Sequence, residues 1–338
     1  MDTLIPEVIN LPRREALGKT VDKPEVQMQN TTGNQVAILL ATKEGERFLS
    51  EQLDSFTRQT HQDWTLWVSD DKSTDRTCEL IKQFEAKIGK GRVKLRTGPV
   101  QGPAANFLSL TCNHEIDADF FAYSDQDDIW EPDKLARAFK KLRGLPPNVP
   151  ALYCSRIRLI DEANRETGLF TLWSKQPSFA NALTQNIATG HTIVFNRAAR
   201  NLLLEAGMGI DISTHDWWCY QLIAGCGGKV LYDPYPGVRH RQHEANCIGA
   251  CSSIMARIKN VKMLMNNRFS HAADGNIRSL KKVEHLLTGH NRDILNQFAA
   301  ARKGSLIARL MCLWKCGLYR QTWQDNVTLI AGAILNKI

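Results

Sequence analysis

The spacing of apolar residues divides the chain before any composition is counted. Val36 to Thr42 (V-A-I-L-L-A-T) is a short continuous apolar run. That pattern marks a strand covered on both faces. From Phe48 to Gln59, Phe48, Leu49, Gln52, Leu53 and Phe56 recur at helical spacing and predict a helix. Thr65 to Val68 predicts a second strand, and Thr74 to Ile88 a second helix with Leu80, Ile81, Phe84 and Ile88 on its apolar side. Val93 to Arg96 predicts a third strand, Pro103 to Thr111 another helix, and Phe120 to Tyr123 a further strand. This alternation implies an open, mainly parallel α/β sheet flanked by helices. Such sheets bind ligands at the carboxyl ends of their strands. Polar clusters fall at those ends: Thr42-Lys43-Glu44, Asp70-Asp71 and Asp125 to Asp128.

Composition narrows the class. The chain has 338 residues, 43% hydrophobic and 23% charged, which excludes a disordered, collagen-like or disulfide-scaffold protein. The opening residues lack a basic flank followed by an apolar core, so a secretory signal is not expected. Residues 1–34 hold three prolines and no sustained period, and read as a loose lead-in. No apolar run reaches the ~18 residues of a spanning helix. The nine cysteines form no C-x-x-C pair. Cys247/Cys251 and Cys312/Cys316 are spaced to share a helix face, and the reading is buried, reduced thiols in the cytoplasm.

Charge changes the picture further. The net +8 is uneven: residues 1–250 carry 29 basic and 31 acidic side chains, and residues 251–338 carry 14 and four. An anionic partner is therefore expected for the last quarter alone. Ser305 to Trp323 sets Leu306, Leu310, Leu313, Trp314 and Leu318 at helical spacing among Arg309, Lys315 and Arg320. This suits an interfacial helix on an anionic membrane. It equally suits a helical subdomain packed on the body with a solvated basic face. No nucleic-acid recognition motif accompanies the charge, so no nucleic-acid partner is expected.

The acidic clusters carry the chemistry. Asp125, Asp127 and Asp128 would repel one another unless a cation sits among them. Oxygen ligands favour Mg2+ or Mn2+ bridging to phosphates. The alternative is a solvated turn capping the helix that starts near Pro132. Asp70 and Asp71 equally suit a helix cap beside Ser73, Thr74 and Asp75. Neither G-x-G-x-x-G nor G-x-x-x-x-G-K-[ST] occurs, which weakens dinucleotide and P-loop readings.

Three segments then carry a resemblance: V-A-I-L-L-A-T-K-E-G-E-R-F-L-S-E-Q-L-D-S-F-T-R-Q-T (36–60), W-V-S-D-D-K-S-T-D-R-T (67–77) and F-F-A-Y-S-D-Q-D-D-I-W-E-P-D-K-L (120–135). Together with T-G-H-T-I-V-F-N-R (189–197), T-H-D-W-W (214–218) and R-H-R-Q-H-E-A-N-C-I-G (239–249), the chain resembles the family 2 glycosyltransferases, in their rhamnosyltransferase-like branch. The resemblance spans roughly residues 35–250, leaving 251–338 as a basic amphipathic helical region. It implies the glycosyltransferase-A fold and inverting, metal-dependent transfer of a sugar, with rhamnose suggested by the branch. The donor would be a nucleotide-diphosphate sugar. The acceptor would be a saccharide, lipid-linked, in cell-surface polysaccharide assembly. The enzyme would lie peripherally on the inner face of the cell membrane.

Roles carry over by the same resemblance. Ala41, Thr42 and Glu44 would line the nucleotide pocket, Asp71 would hydrogen-bond the base with Asp70 beside it, and Asn106 would lie near the donor phosphates. Asp127 would approach the ribose and pyrophosphate, with Asp128 on the cation and Asp125 supporting it. His243 would complete the metal set of Asp128 and Asp127, and Arg241 would hold pyrophosphate. Gly190 would let the bound sugar approach closely, beside His191. Asp216 occupies the family's base position, and Trp217 and Trp218 would stack on the acceptor, core packing being the alternative. Lys43 and Glu44 stand where the family usually has an aromatic residue and Asn. Lys72 stands where Gly is common, which predicts an altered turn. Two rivals remain: a sugar nucleotidyltransferase, for which A-T-K-E-G-E-R is a poor phosphate loop, and a degenerate carbohydrate-binding or scaffold protein.

Overall fold

Strand β1 (Val36–Thr42) alternates its side chains between two apolar layers. Val36, Ile38 and Leu40 face one layer, and Ala37 and Leu39 the other. Both faces are therefore covered, as the continuous apolar run requires. The computed structural model describes residues 33–243 and 268–337. Of the chain's two units, Met1–Thr32 and Gly33–Ile338, all described residues belong to the second.

Around β1 the predicted alternation is present: α1 (Leu49–Thr57), β2 (Trp64–Asp70), α2 (Thr77–Ile88), β3 (Val93–Thr97), α3 (Pro103–Thr111) and β4 (Phe120–Ser124). β5 (Ile129–Trp130), α4 (Lys134–Leu142), β6 (Ala151–Ile160), β7 (Glu166–Leu169) and α5 (Phe179–Ala182) follow. Next come β8 (Val194–Asn196), α6 (Arg197–Ala206), α7 (His215–Gly225) and β9 (Lys229–Arg241). The last helices are α8 (Arg268–Lys282), α9 (Gly289–Arg302), α10 (Leu306–Lys315) and α11 (Trp323–Ile334).

The strand order is β3-β2-β1-β4-β8-β6-β9-β5, with β7 on β6. The first four strands are parallel, and β8 enters antiparallel to β4 and β6. Register aligns the carboxyl ends of the parallel half. Thr42 pairs with Asp70, Asp70 with Thr97, and Leu40 with Ser124. The polar clusters consequently share one edge.

β9 runs parallel to β6 along its whole length, then pairs antiparallel with β5 (Ile129 to Arg239, Trp130 to Val238). That short ladder brings the end of β9 to the acidic turn 125–128. On the opposite layer, α8 to α11 share the core of α7: Leu280, Leu295, Phe298, Leu329 and Ala333 are buried with Trp218 and Leu222. The connection before α11 is stitched to the body. Tyr319 O accepts from Asn181 Nδ2 (3.1 Å) and Thr184 Oγ1, and Arg320 Nε donates to Thr184 O (3.0 Å). Cys312 and Cys316 are buried thiols 3.7 Å apart, while Cys247 and Cys251 lie outside the described residues.

Candidate active site

Asp70 ends β2 and serves the turn after it. Its Oδ1 accepts from Thr42 Oγ1 (2.8 Å) and Ser73 Oγ (2.6 Å), and its Oδ2 from Ser73 N–H (2.8 Å). Asp70 thus braces the turn and does not cap α2, whose first N–H, that of Thr77, is accepted by Asp75 Oδ1 (3.0 Å). Lys72 sits at φ +58°, so the turn keeps the left-handed geometry usual for Gly, contrary to the altered turn expected. Lys43 Nζ donates to Lys72 O (2.9 Å), and the bonds to Asp70 brace the other side. Exposed Glu44, also left-handed at φ +48°, accepts Thr74 N–H (2.9 Å) and braces the same turn.

Asp71 points inward. It is buried, and its Oδ1 accepts Val100 N–H (3.0 Å). A Cβ on Gly98 would overlap Asp71 Oδ1 and come within 2.7 Å of Asn106 Oδ1. Asn106 Nδ2 donates to Ser69 O (2.9 Å), while its Oδ1 is buried without a hydrogen-bond partner. Acceptors are thus gathered below β1 and β2, where Ala41 is half-buried. A cleft of about 490 Å³ beside them is lined by Asp70, Lys72, Ser73, Leu95, Arg96 and Thr97.

The acidic turn meets three histidines. His240 Nδ1 lies 2.8 Å from Asp128 Oδ1, and His191 Nδ1 lies 3.2 Å from both Asp128 Oδ2 and Asp125 Oδ2. The two imidazoles stack, with centroids 4.6 Å apart. Potential ligand atoms of Asp128, His191 and His240 lie within 4.8 Å of one another. Asp128 Oδ2 and His191 Nε2 are buried without hydrogen-bond partners. A carboxylate and two imidazoles gathered this closely, with Asp128 Oδ2 and His191 Nε2 unsatisfied, fit a divalent cation. His243 instead pairs with Asp127 (Nε2 to Oδ2, 2.7 Å), so the expected Asp128–Asp127–His243 set shares only Asp128 with this cluster.

The electrostatics follow from burial and crowding. Burial, then Asp128 and Asp125, push Asp127 up to about 6. Burial would also raise Asp128, but the charges of His191 and His240, with the bonds from His240 and Arg241 N–H, hold it near about 2. Burial would lower His240, and Asp128 chiefly lifts it to about 9. Such opposed shifts are the pattern of functional clusters.

Arg241 corrects the sequence expectation. It is fully buried, and its Nε, Nη1 and Nη2 donate to Asp127 O (3.1 Å), Glu162 O (2.9 Å) and Glu51 Oε2 (3.0 Å). It clamps the acidic turn to α1 rather than presenting itself to pyrophosphate. Alternation along β9 explains this, since neighbours on a strand point to opposite faces. The same rule would have singled out His240, which the sequence reading left out of the metal set.

Asp216 opens α7. Its Oδ2 accepts Gly190 N–H (3.1 Å) and its Oδ1 accepts Trp217 N–H (2.6 Å). It is half-buried, whereas every other residue of α7 is buried. Trp218 is 0% exposed, and Trp217 Nε1 donates to Ala182 O (2.7 Å), so both indoles are core and not acceptor platforms. Gly190 makes room for a neighbouring side chain: a Cβ there would lie 2.8 Å from His215 Nε2. His215 stacks on Phe107 at 3.8 Å and is a packing residue.

Comparison with known proteins fits this geometry. The model of glycosyl transferase family 2 matches residues 37–207, and the chain belongs to that family. It is 27% identical over 305 residues to the dTDP-rhamnosyl transferase RfbG of Shigella flexneri, across 88% of this chain and 99% of that one. It is 28% identical over 167 residues to the UDP-Glc:alpha-D-GlcNAc-diphosphoundecaprenol beta-1,3-glucosyltransferase WfgD of Escherichia coli, across 49% and 62%. The crystal structure of S. aureus TarS 1-349 with UDP-GlcNAc superposes at a TM-score of 0.50 and 13% identity, covering 84% of this chain and 93% of that one. The fold is the glycosyltransferase-A fold, and the protein is a family 2 glycosyltransferase.

Proposed function

We propose that the enzyme transfers rhamnose from a nucleotide diphosphate to a lipid-linked saccharide hydroxyl, with inversion and with a divalent cation. The observation that carries this reading is one short connection. Gly190 donates to Asp216, and the next residue, His191, joins Asp128 and His240. A carboxylate able to take a proton thus lies one residue from a cluster suited to a cation.

Asp71 would accept a hydrogen bond from the base, and Asn106 would lie near the donor phosphates. Asp216, oriented by two backbone N–H groups, would take the acceptor's hydroxyl proton as its oxygen attacks the anomeric carbon. The bond to the diphosphate breaks on the opposite side, inverting the centre. Asp128, His191 and His240 would hold the cation, and two imidazoles favour Mn2+ over Mg2+. When bound, the cation neutralises charge on the departing diphosphate. The rhamnose donor is supported by similarity to RfbG along nearly its whole length. The lipid-linked acceptor is supported by similarity to WfgD. Such an acceptor would hold the enzyme at the inner membrane face as a peripheral protein.

The test is a panel of nucleotide sugars scored by thermal shift with and without Mn2+. The reading expects a Mn2+-dependent rise in Tm with dTDP-rhamnose and none with UDP-glucose. A shift with another donor alone would remove rhamnose, and silence across the panel would remove the donor site. Asp216→Asn should keep the shift and lower kcat by roughly 10²- to 10⁴-fold.

A further inference from the structure

The described residues expose fourteen large hydrophobic side chains, and ten of them lie between Leu306 and Leu335. On α10 these are Leu306, Ile307, Leu310, Met311 and Trp314, which fall on one side of the helix. On α11, Trp323, Val327, Ile330 and Ile334 follow the i, i+4, i+7, i+11 spacing of a single stripe. Trp314 is 81% exposed and Trp323 72%.

The opposite sides of both helices are already satisfied. Arg309 Nε donates to Ala333 O (2.7 Å), tying α10 to α11, and Cys312, Leu329 and Ala333 are buried. The outer faces are therefore not a misplaced core. A soluble surface does not ordinarily leave so many large apolar side chains together, and such patches mark interaction sites.

We propose that the outer faces of α10 and α11 lie in the headgroup region of an anionic lipid bilayer. Charge selects this occupant. Residues 303–338 carry five basic side chains and one acidic one, Asp325; Arg309 and Arg320 are spent inward on backbone carbonyls, so the lysines supply the outer charge. Asp325 is turned inward, capping α11 through Thr322 and meeting Gln185. Exposed Lys303 and Lys315 flank the apolar stripe of α10. A second copy would bring the same basic patch against itself, since a two-fold interface is self-complementary. An anionic surface pairs with those charges instead. No described helix is long and apolar enough to cross a membrane, so the contact lies in the plane of the bilayer. Indole rings suit that depth, having an apolar body and a polar edge. The surface stands apart from the catalytic residues, and its test does not depend on donor or acceptor.

The experiment is sedimentation of the full chain with vesicles of equal parts phosphatidylglycerol and phosphatidylcholine, against phosphatidylcholine alone. The chain should pellet with the anionic vesicles, and Trp314→Glu with Ile330→Glu should weaken this by about tenfold or more while Tm is unchanged. Should the glutamates unfold the protein, Trp314→Ala with Trp323→Ala is expected to weaken binding in the same direction. Undiminished binding by folded variants would overturn the proposal, as would no binding by the unaltered chain. A dimer that the variants dissociate, without vesicle binding, would assign the face to a second copy and overturn it too.

Discussion

Arg241 is a buried cation whose guanidinium fork joins three segments that are far apart in sequence. The contacts to Asp127 O, Glu162 O and Glu51 make it a structural clamp on the acidic turn. Removing it leaves the carbonyls of Asp127 and Glu162 without this donor, and an unsatisfied group of that kind costs about 1–3 kcal/mol. Arg241→Ala should therefore lower stability by about 3 kcal/mol in urea unfolding, with donor binding lost only as folding is lost. A full-strength fold with a raised KM for the donor alone would return Arg241 to the pyrophosphate. Lys72 teaches the same lesson in miniature: its residue type argued against the left-handed turn, yet neighbouring hydrogen bonds enforce it at φ +58°.

At the scale of elements, α7 decides which sequence readings survive. It is buried all round except at Asp216. A helix apolar on every side belongs in a core. Trp218→Phe should therefore cost about 1–3 kcal/mol of stability and leave KM for the acceptor unchanged, as unfolding curves beside steady-state rates would reveal. The strands and helices from Val36 to Ser124 were legible because each follows one clear period; α3 spans Pro103–Thr111 as read, and α2 begins three residues later than expected. The acidic turn and Asp216 were singled out by motif alone. The pairing of Asp128 with His240 was not, because it depends on the two-residue β5–β9 ladder. No local pattern announces a ladder that short. The tryptophans misled for a related reason: composition reports that a ring can stack on sugar, but only packing reports which side it faces.

For the whole molecule, the uneven charge acquires a structural meaning. The basic last quarter is not a separate appendage in its described part, since α8 to α11 complete the core that α7 begins. The body keeps its own charge in opposed pairs, and these set a pH window for the metal-free protein. His240 rises from 6.5 to about 9, so its contribution to stability is full below about 6.5 and is lost as pH climbs through about 9. Asp128 falls from 3.8 to about 2, so its contribution is full above about 3.8 and is lost as pH drops through about 2. Stability from this pair should be greatest between those limits. Urea midpoints measured from pH 5 to 9 should decline toward the alkaline end without metal. Added Mn2+ should flatten or reverse that decline, because a neutral imidazole is the form that binds. An identical decline with and without Mn2+ would count against His240 as a ligand.

The junction between the acidic turn and the end of β9 has a further consequence, in time rather than in space. Asp128 and His240 are 112 residues apart. A chain emerging from the ribosome presents its three aspartates and then His191 well before His240 exists. Joining the two closes a long loop, an entropic step taken before its contacts give any return. The cluster of Asp128, His191 and His240 is therefore complete only once β9 has docked against β5.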